Sequence, residues 1–334
     1  MFKYVLLCIV ILFSVYSTEQ AGFSVKDRIQ KVNQLAKTWK AQQHFSPRAL
    51  KEFIQTLGSL VLKRIPKKLI KENDPLYIND IHIPPTFDAR IQWSNCTTIG
   101  EVREQGKCGN CWAQATAGAF SDRLCIGTNG QFNKLISTEE LTFCCYSCGI
   151  GCHGGNPILA WQYFKRRGVV TGGNYNTTDG CQPYKVPPCQ IDDQGLYSCN
   201  EQPKEKHHKC IKGCYGDTSI DFNNNHWKTK NAYYLSYGNM QKDVLAYGPI
   251  ETSLEIYDDF PHYKSGIYQK TPGAKRLGAH AVKLIGWGEE NGVPYWLLVN
   301  SWSKNWGDRG LFKIIRGQNE CGIETGPTAG EPLV

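Results

Sequence analysis

The chain has 334 residues, with 38 Lys or Arg against 30 Asp or Glu. Residues 18–82 hold 12 basic and 6 acidic residues, whereas residues 83–334 hold 25 and 24, so the basic excess lies in one short segment. The near-neutral remainder argues against a nucleic-acid-binding protein, which needs a basic face on its folded body. The length of residues 83–334 suits one large domain or two packed lobes.

Residues 1–17 have the pattern of a secretory signal peptide. Lys3 precedes an apolar run from Val5 to Val15, which is too short to span a bilayer. Of the 15 cysteines, all but Cys8 lie between Cys96 and Cys321, and such density is typical of an oxidising compartment. We therefore predict entry into the secretory pathway, with no membrane association after signal removal. The Asn-x-Thr sequons at Asn95 and Asn176 predict glycosylation.

Residues 18–82 are predicted to form a separate helical segment. Five apolar residues recur at helical spacing and predict one face of a first helix: Val25, Ile29, Val32, Leu35 and Trp39. Ser24 and Asp27 have the spacing of a capping box. Ser46-Pro47 begins a second helix, whose apolar stripe comprises Leu50, Phe53, Ile54 and Leu57. These patterns fit a small docked domain and an inhibitory propeptide equally well.

The remainder changes from helical to β-rich along the chain. Residues 111–124 and 156–167 are predicted helices, and residues 181–215 a cysteine-rich loop region. Strand patterns cover Pro249 to Tyr257, His280 to Trp287, Tyr295 to Ser301 and Gly310 to Arg316. A helical front half and a β-rich back half predict two lobes with a cleft between them.

The chemistry centres on Cys111, which opens a predicted helix. Amide groups at a helix start favour a thiolate, the nucleophilic form of cysteine. The side-chain NH2 of Gln105 could hold the oxygen of a carbonyl under attack. His280, predicted at the start of a strand, is the candidate base. Asn300 could orient its imidazole and Trp302 could shield that hydrogen bond, which together indicate acyl transfer through a thioester.

These elements, in this order, resemble the papain-type cysteine proteases, and among them the cathepsin B-like group, from about Ser24 to Gly330. The resemblance implies an α+β papain-like two-lobe fold, with a helical left lobe, a β-barrel-like right lobe and the active-site cleft between them. It favours an inhibitory propeptide over residues 18–82, cut near His82-Ile83, and a peptidase domain over residues 83–334. About 83–215 would form mainly the left lobe, with a modified occluding loop at 181–214, and about 216–334 mainly the right.

The resemblance also assigns roles to residues. Cys111 and His280 would rest as a thiolate–imidazolium pair, Gln105 would complete the oxyanion hole and Asn300 would orient the imidazole. Gly154 and Gly155 would pair with an extended substrate. Six disulfides are implied: Cys96–Cys125, Cys108–Cys152, Cys144–Cys210, Cys145–Cys148, Cys181–Cys214 and Cys189–Cys199. Cys111 and Cys321 would stay unpaired, Cys321 as a buried apolar filler.

Two departures from the group's pattern bear on specificity. The His-His pair that captures a substrate's C-terminal carboxylate is absent after Pro187-Pro188-Cys189, where Gln190, Ile191 and Asp192 follow. We expect His207-His208 to be solvated instead, and Asn305 replaces an acidic anchor, so peptidyl-dipeptidase activity should be weak or absent. The S2 pocket, expected to comprise Pro157, Ser253, Ala279 and Gly326, has Gly326 where the group carries a glutamate, which predicts apolar P2 residues.

The expected partners are peptide and protein substrates, the chain's own propeptide and cystatin-type inhibitors, with no cofactor or metal and a monomeric state. Acid should loosen the propeptide by protonating carboxylates that pair with its lysines. The working location would be lysosomal or a secreted digestive fluid. Two alternatives stay open. The Cys108-x-x-Cys111 and Cys145-x-x-Cys148 spacings also occur in zinc or redox sites, and altered loops are compatible with a catalytically silent homologue that binds peptides or inhibitors.

Overall fold

The computed structural model describes residues 24–59, 67–71, 81–192, 195–199 and 205–334. The predicted signal peptide lies outside these ranges. Within them, no helix is both long and apolar enough to cross a membrane.

Residues 24–59, called here the N-terminal segment, contain two helices and one strand. Helix α1 spans Val25–Leu35, strand β1 Trp39–Ala41 and helix α2 Pro47–Ile54. The capping box is confirmed, because the Ser24 and Asp27 side chains each accept from the other's backbone amide. The assignment of Trp39 to the first helix is wrong. α1 ends at Leu35, and the Trp39 ring packs on the rings of Tyr263 and Tyr268, a long-range contact that helical periodicity cannot reveal.

The left lobe consists of helices around α4. Its elements are α3 (Ala89–Gln92), a 3-10 turn (Thr97–Gly100), α4 (Cys111–Gly127), α5 (Thr138–Cys144) and α6 (Pro157–Arg166). α4 is buried on every face from Cys111 to Cys125. Phe120 packs on Trp161 and Phe164 of α6, while Ala115 contacts Ala281 of the right lobe. Helix α4 therefore lies between the two lobes and holds its first residue, Cys111, at their junction.

The right lobe is built on a nine-stranded sheet. Its main strands are β5 (Tyr233–Tyr234), β6 (Ile250–Tyr257), β7 (Tyr263–Tyr268), β8 (Arg276–Glu290), β9 (Val293–Val299), β10 (Leu311–Ile315) and β11 (Thr328–Ala329), with helix α7 (Tyr237–Tyr247) beside them. The strand order is β1-β7-β10-β9-β8-β6-β11-β5, and β2 (Phe87–Asp88) pairs with β8. The sheet is thus open in the described chain rather than barrel-like. Its outermost strand at one end is β1, which the N-terminal segment contributes.

The cysteine-rich region is held by disulfides rather than by regular structure. Its only elements in the described residues are the short paired strands β3 (Gln190–Ile191) and β4 (Tyr197–Ser198). The six bridges in the structure are the six pairs that the resemblance implied. Cys111 and Cys321 are free and buried. Because Cys108, Cys145 and Cys148 form disulfides, their thiols are not available to bind zinc or to act as a redox dithiol.

Candidate active site

Cys111 is the first residue of α4 and is fully buried between the lobes. The N-cap residue Asn110 makes no side-chain cap, so its side chain occupies no amide of the first turn, while its carbonyl accepts from Ala113 and Gln114. Backbone amides of Ala281, Gly58 and Trp112 hydrogen-bond to the sulfur. Burial nevertheless outweighs these donors and raises the pKa of the Cys111 thiol to about 11.

His280 lies within strand β8 and not at a strand end, which corrects the sequence-based expectation. Residues Arg276 to Ala279 extend the pairing with β6 ahead of it, and His280 itself pairs with Leu254. The imidazole Nε2 lies 2.7 Å from Asn300 Oδ1, and the Trp302 ring covers it with 4.4 Å between centroids. Nδ1 is buried with no hydrogen-bond partner. This nitrogen is therefore the one free to exchange a proton, and the next residue, Ala281, touches Cys111.

The predicted thiolate–imidazolium resting pair is not favoured in this form of the protein. Burial lowers the pKa of His280 to about 4, although the Asn300 hydrogen bond acts in the opposite direction. Burial raises the pKa of Cys111 as well, so it favours the neutral form of both groups. Gly58 of the N-terminal segment covers the sulfur, and Trp302 covers the imidazole, so neither charge is solvated.

Gln105 is held rigidly by three hydrogen bonds. Its Oε1 accepts from Ser301 Oγ at 2.8 Å, and its Nε2 donates to the carbonyls of Cys108 at 2.8 Å and Thr56 at 3.1 Å. The amide group that would hold an oxyanion therefore already holds a backbone carbonyl of the N-terminal segment. Sequence reasoning missed Ser301 as the residue that orients Gln105, although it stands inside the Asn300-Ser301-Trp302 motif.

The N-terminal segment continues through the cleft as an extended chain. Gly155 donates its amide to the Gly58 carbonyl at 3.0 Å, and Ser59 donates its amide to the Ala279 carbonyl at 3.3 Å. Gly154 has φ of +107°, and a Cβ on Gly155 would lie 2.5 Å from the Trp112 ring, so both positions require glycine. The segment thus bonds to Gly155 and Ala279, two of the residues that the resemblance assigned to substrate.

Comparison with known proteins accords with this geometry. The profile of the papain family cysteine proteases matches residues 83–330. The chain belongs to this family.

Its relatives narrow the assignment to the cathepsin B-like proteases. The chain is 43% identical over 265 residues to cathepsin B-like cysteine proteinase 4 of Caenorhabditis elegans, covering 77% of this chain and 78% of the relative. It is 46% identical over 259 residues to cathepsin B-like cysteine proteinase 5 of the same organism, covering 75% of each. Among solved structures, procathepsin B S9 from Trypanosoma congolense matches with a TM-score of 0.78 and 32% identity, over 92% of this chain and 98% of that one. The match to a proform identifies the N-terminal segment as part of a propeptide.

A pocket of the protease lies beside Ser59 of the propeptide. Pro157, Ser253 and Gly326, three of the four residues expected in the S2 pocket, line it together with Glu251, Tyr234 and Thr328, whereas Ala279 is not among its lining residues. The Ser253 hydroxyl donates to Glu251 at 2.8 Å and bonds to the propeptide's Ser59 hydroxyl at 2.8 Å. Burial raises the pKa of Glu251 to about 7 despite hydrogen bonds from Thr328 and Ser253. Sequence reasoning missed this carboxyl, although an acid among apolar strand residues was a usable signal.

Of the histidine pair near the occluding loop, His207 is exposed as expected, whereas His208 is not solvated. His208 lies between Glu139, at 2.6 Å, and Glu205, at 2.7 Å, and its ring packs 4.2 Å from Phe143. Hydrogen bonds to the two carboxylates, chiefly to Glu139, raise the pKa of His208. The sequence around His208 could not show this contact, because Glu139 lies 69 residues away in the chain. The predicted glycosylation residues Asn95 and Asn176 are both exposed.

Proposed function

We propose that this cathepsin B-like protease is an endopeptidase, made as a zymogen, that cleaves peptide bonds through a thioester on Cys111. One observation carries the proposal. The propeptide presents its Thr56 carbonyl to the Gln105 amide while residue 58 covers the Cys111 sulfur, so a peptide backbone already lies where a substrate would react.

The same contacts explain why the zymogen would be silent. A covered sulfur cannot reach a substrate carbonyl, and burial keeps Cys111 and His280 neutral. Departure of the propeptide opens both groups to water. The proton of the thiol then moves to Nδ1 of His280, and the amides at the start of α4 stabilise the thiolate.

In the proposed reaction, the thiolate attacks the scissile carbonyl carbon. The carbonyl oxygen becomes negative and is held by the Gln105 amide and the backbone amide of Cys111. The carbon–nitrogen bond breaks as protonated His280 gives its proton to the leaving amine. Water then attacks the thioester, His280 accepts a proton from it, and the carboxylic product leaves as the sulfur is released. Asn300 holds Nε2 throughout, which keeps Nδ1 directed at the reacting atoms.

Exopeptidase activity should be weak or absent. Ile191 and Asp192 are exposed on the inner loop, and an aliphatic or anionic side chain gives a C-terminal carboxylate no positive partner. His208, one of the two histidines of the cysteine-rich region, is held between two carboxylates. The test is mass spectrometry of products from one peptide with a free or an amidated C-terminus. Comparable internal cleavage of both supports the proposal, whereas stepwise dipeptide loss from the free form alone would contradict it.

For the S2 pocket we propose a preference for apolar P2 residues in acid. Gly326 contributes no carboxylate, and Glu251 is the charged group that the pocket contains. Because the pKa of Glu251 is about 7, its carboxyl is largely neutral at pH 5.

The deciding experiment is covalent labelling of Cys111. A thiol-protease epoxide should label the processed enzyme, spare the intact zymogen and fail on Cys111→Ala. A processed enzyme that binds peptides without being labelled would instead favour the catalytically silent homologue. The same proposal includes the secretory route and a lysosomal or digestive location. It also includes glycosylation at Asn95 and Asn176, a monomeric state and inhibition by cystatin-type proteins.

A further inference from the structure

Two histidines meet at the interface between the propeptide and the right lobe. His44 belongs to the propeptide and His262 to the 3-10 turn Phe260–His262 that precedes β7, and their side chains are 6% and 1% exposed. The backbone links the same elements, since Gln42 donates its amide to the His262 carbonyl at 2.7 Å. His44 is thus covered by the body of the protease, and His262 by the propeptide.

The surroundings of both rings disfavour a positive charge. Neither nitrogen of His262 has a hydrogen-bond partner, and its ring is faced by His44 and by Arg28 of α1. Nε2 of His44 lies 2.8 Å from the Tyr263 carbonyl, and Lys264 of β7 faces the ring. Burial, reinforced by these neighbouring cations, lowers the pKa of each histidine to about 4, although the carbonyls of Tyr263 and Asn305 act in the opposite direction on His44.

The nearby carboxylates do little to stabilise a positive charge on His44 or His262. Asp258 forms an ion pair with Arg28, and Asp259 is occupied by Tyr268 and Thr271. Among the residues that the structure describes, the other ion pairs across the interface lie elsewhere, between Lys71 and Glu331 and between Lys107 and Glu52. The expectation that acid acts by breaking carboxylate pairs with propeptide lysines therefore accounts for few of the described contacts.

We propose that protonation of His44 and His262 releases the propeptide from the right lobe in acid. The inference rests on the propeptide's role in the proposed zymogen. A histidine in water has a pKa of about 6.5, so opening the interface lets both rings take up protons that the closed form excludes. Two new positive charges next to Arg28 and Lys264 then oppose closing.

The size of the effect follows from proton linkage. A shift from about 4 in the closed form to about 6.5 in the open form weakens closing by about 20-fold per ring between pH 7 and pH 5. Both rings together give a few hundred-fold. The direction is fixed, since the closed form holds fewer protons and is favoured as pH rises.

Hydrogen exchange on the full-length Cys111→Ala zymogen tests the inference without using catalysis. The reporters are the amide of Gln42, bonded to His262, and the amide of Ile267, bonded to Thr38. After correction for intrinsic exchange, their protection should fall a few hundred-fold from pH 7 to pH 5. His44→Gln, which keeps a donor for the Tyr263 carbonyl, and His262→Leu should each remove about 20-fold of that fall.

The double variant should be nearly independent of pH over this range. The matched control is His82→Gln, an exposed histidine that should leave the profile unchanged. A double variant that keeps the wild-type slope would overturn the inference, and a slope abolished by Asp258→Asn would assign the effect to the carboxylate. If Cys111 cannot be labelled, the proposed protease mechanism is refuted. The hydrogen-exchange experiment still tests the histidines in that case, because it does not depend on catalysis.

Discussion

Glu251 makes the P2 preference of the protease dependent on pH. Its carboxyl lies in the pocket beside the cleft and accepts hydrogen bonds from Ser253 and Thr328, which belong to the protease itself and stay with it when the propeptide leaves. With a pKa of about 7, about 1% of the carboxyl is ionised at pH 5 and about 90% at pH 8. A cationic P2 residue should therefore gain a partner only toward neutral and alkaline pH.

The expected magnitude follows from the energy of a hydrogen bond to a charged group, about 1.5–3 kcal/mol. This corresponds to about 10- to 150-fold in kcat/KM for the fully ionised pocket. Weighted by the ionised fraction at each pH, the preference for arginine over phenylalanine at P2 should rise by about 10- to 50-fold from pH 5 to pH 8.

The assay compares Phe-Arg and Arg-Arg reporters with the same leaving group. Taking their ratio at each pH cancels the titration of Cys111 and His280, which both reporters share. Glu251→Gln should give a ratio that does not change with pH. Glu255→Gln, on the same strand but paired with Arg276 near the surface, is the control. A constant ratio in the wild-type enzyme, or a rise that persists in Glu251→Gln, would refute the reasoning.

Three further outcomes are expected. Gln105→Ala should lower kcat about 10²–10³-fold in steady-state assays, because one oxyanion donor is lost; a loss below threefold would exclude that role. Asn300→Ala should lower kcat/KM about 10- to 100-fold, because the 2.7 Å bond that orients His280 disappears; an unchanged value would count against it. Lys283→Met should cost about 3–5 kcal/mol in urea unfolding with disulfides intact, since it leaves Asp122 buried without its ion-pair partner. The exposed pair of Lys313 and Glu290 supplies the control, for which Lys313→Ala should cost less than about 1 kcal/mol.

Local signals in the sequence were sufficient for much of the fold. The Ser24 capping box and the Ser46-Pro47 start predicted two helices. Runs of β-branched and aromatic residues located β6, β8, β9 and β10 to within a few residues, but they did not reveal β7. The motifs around Cys111 and Asn300 indicated the chemistry, because a cysteine nucleophile needs a base and a group to orient it.

What the sequence did not reveal depends on contacts between distant residues. Trp39 continued a helical period but pairs with rings more than 200 positions later. The charge state of Cys111 depends on being covered by Gly58, that of His280 on the burial of its ring, and the environment of His208 depends on Glu139. Such burial arises only once the chain is folded, so no local pattern in the sequence predicts it.

Strand β1 has a further consequence for the processed enzyme. Residues 39–41 complete the sheet by pairing with β7, and the amide of Ile267 bonds to the Thr38 carbonyl. Once the propeptide is removed, this side of β7 presents backbone donors and acceptors to solvent, and such an unpaired edge is a template for strand addition by other chains. While it is bound, the propeptide therefore also keeps another chain from adding a strand at this edge.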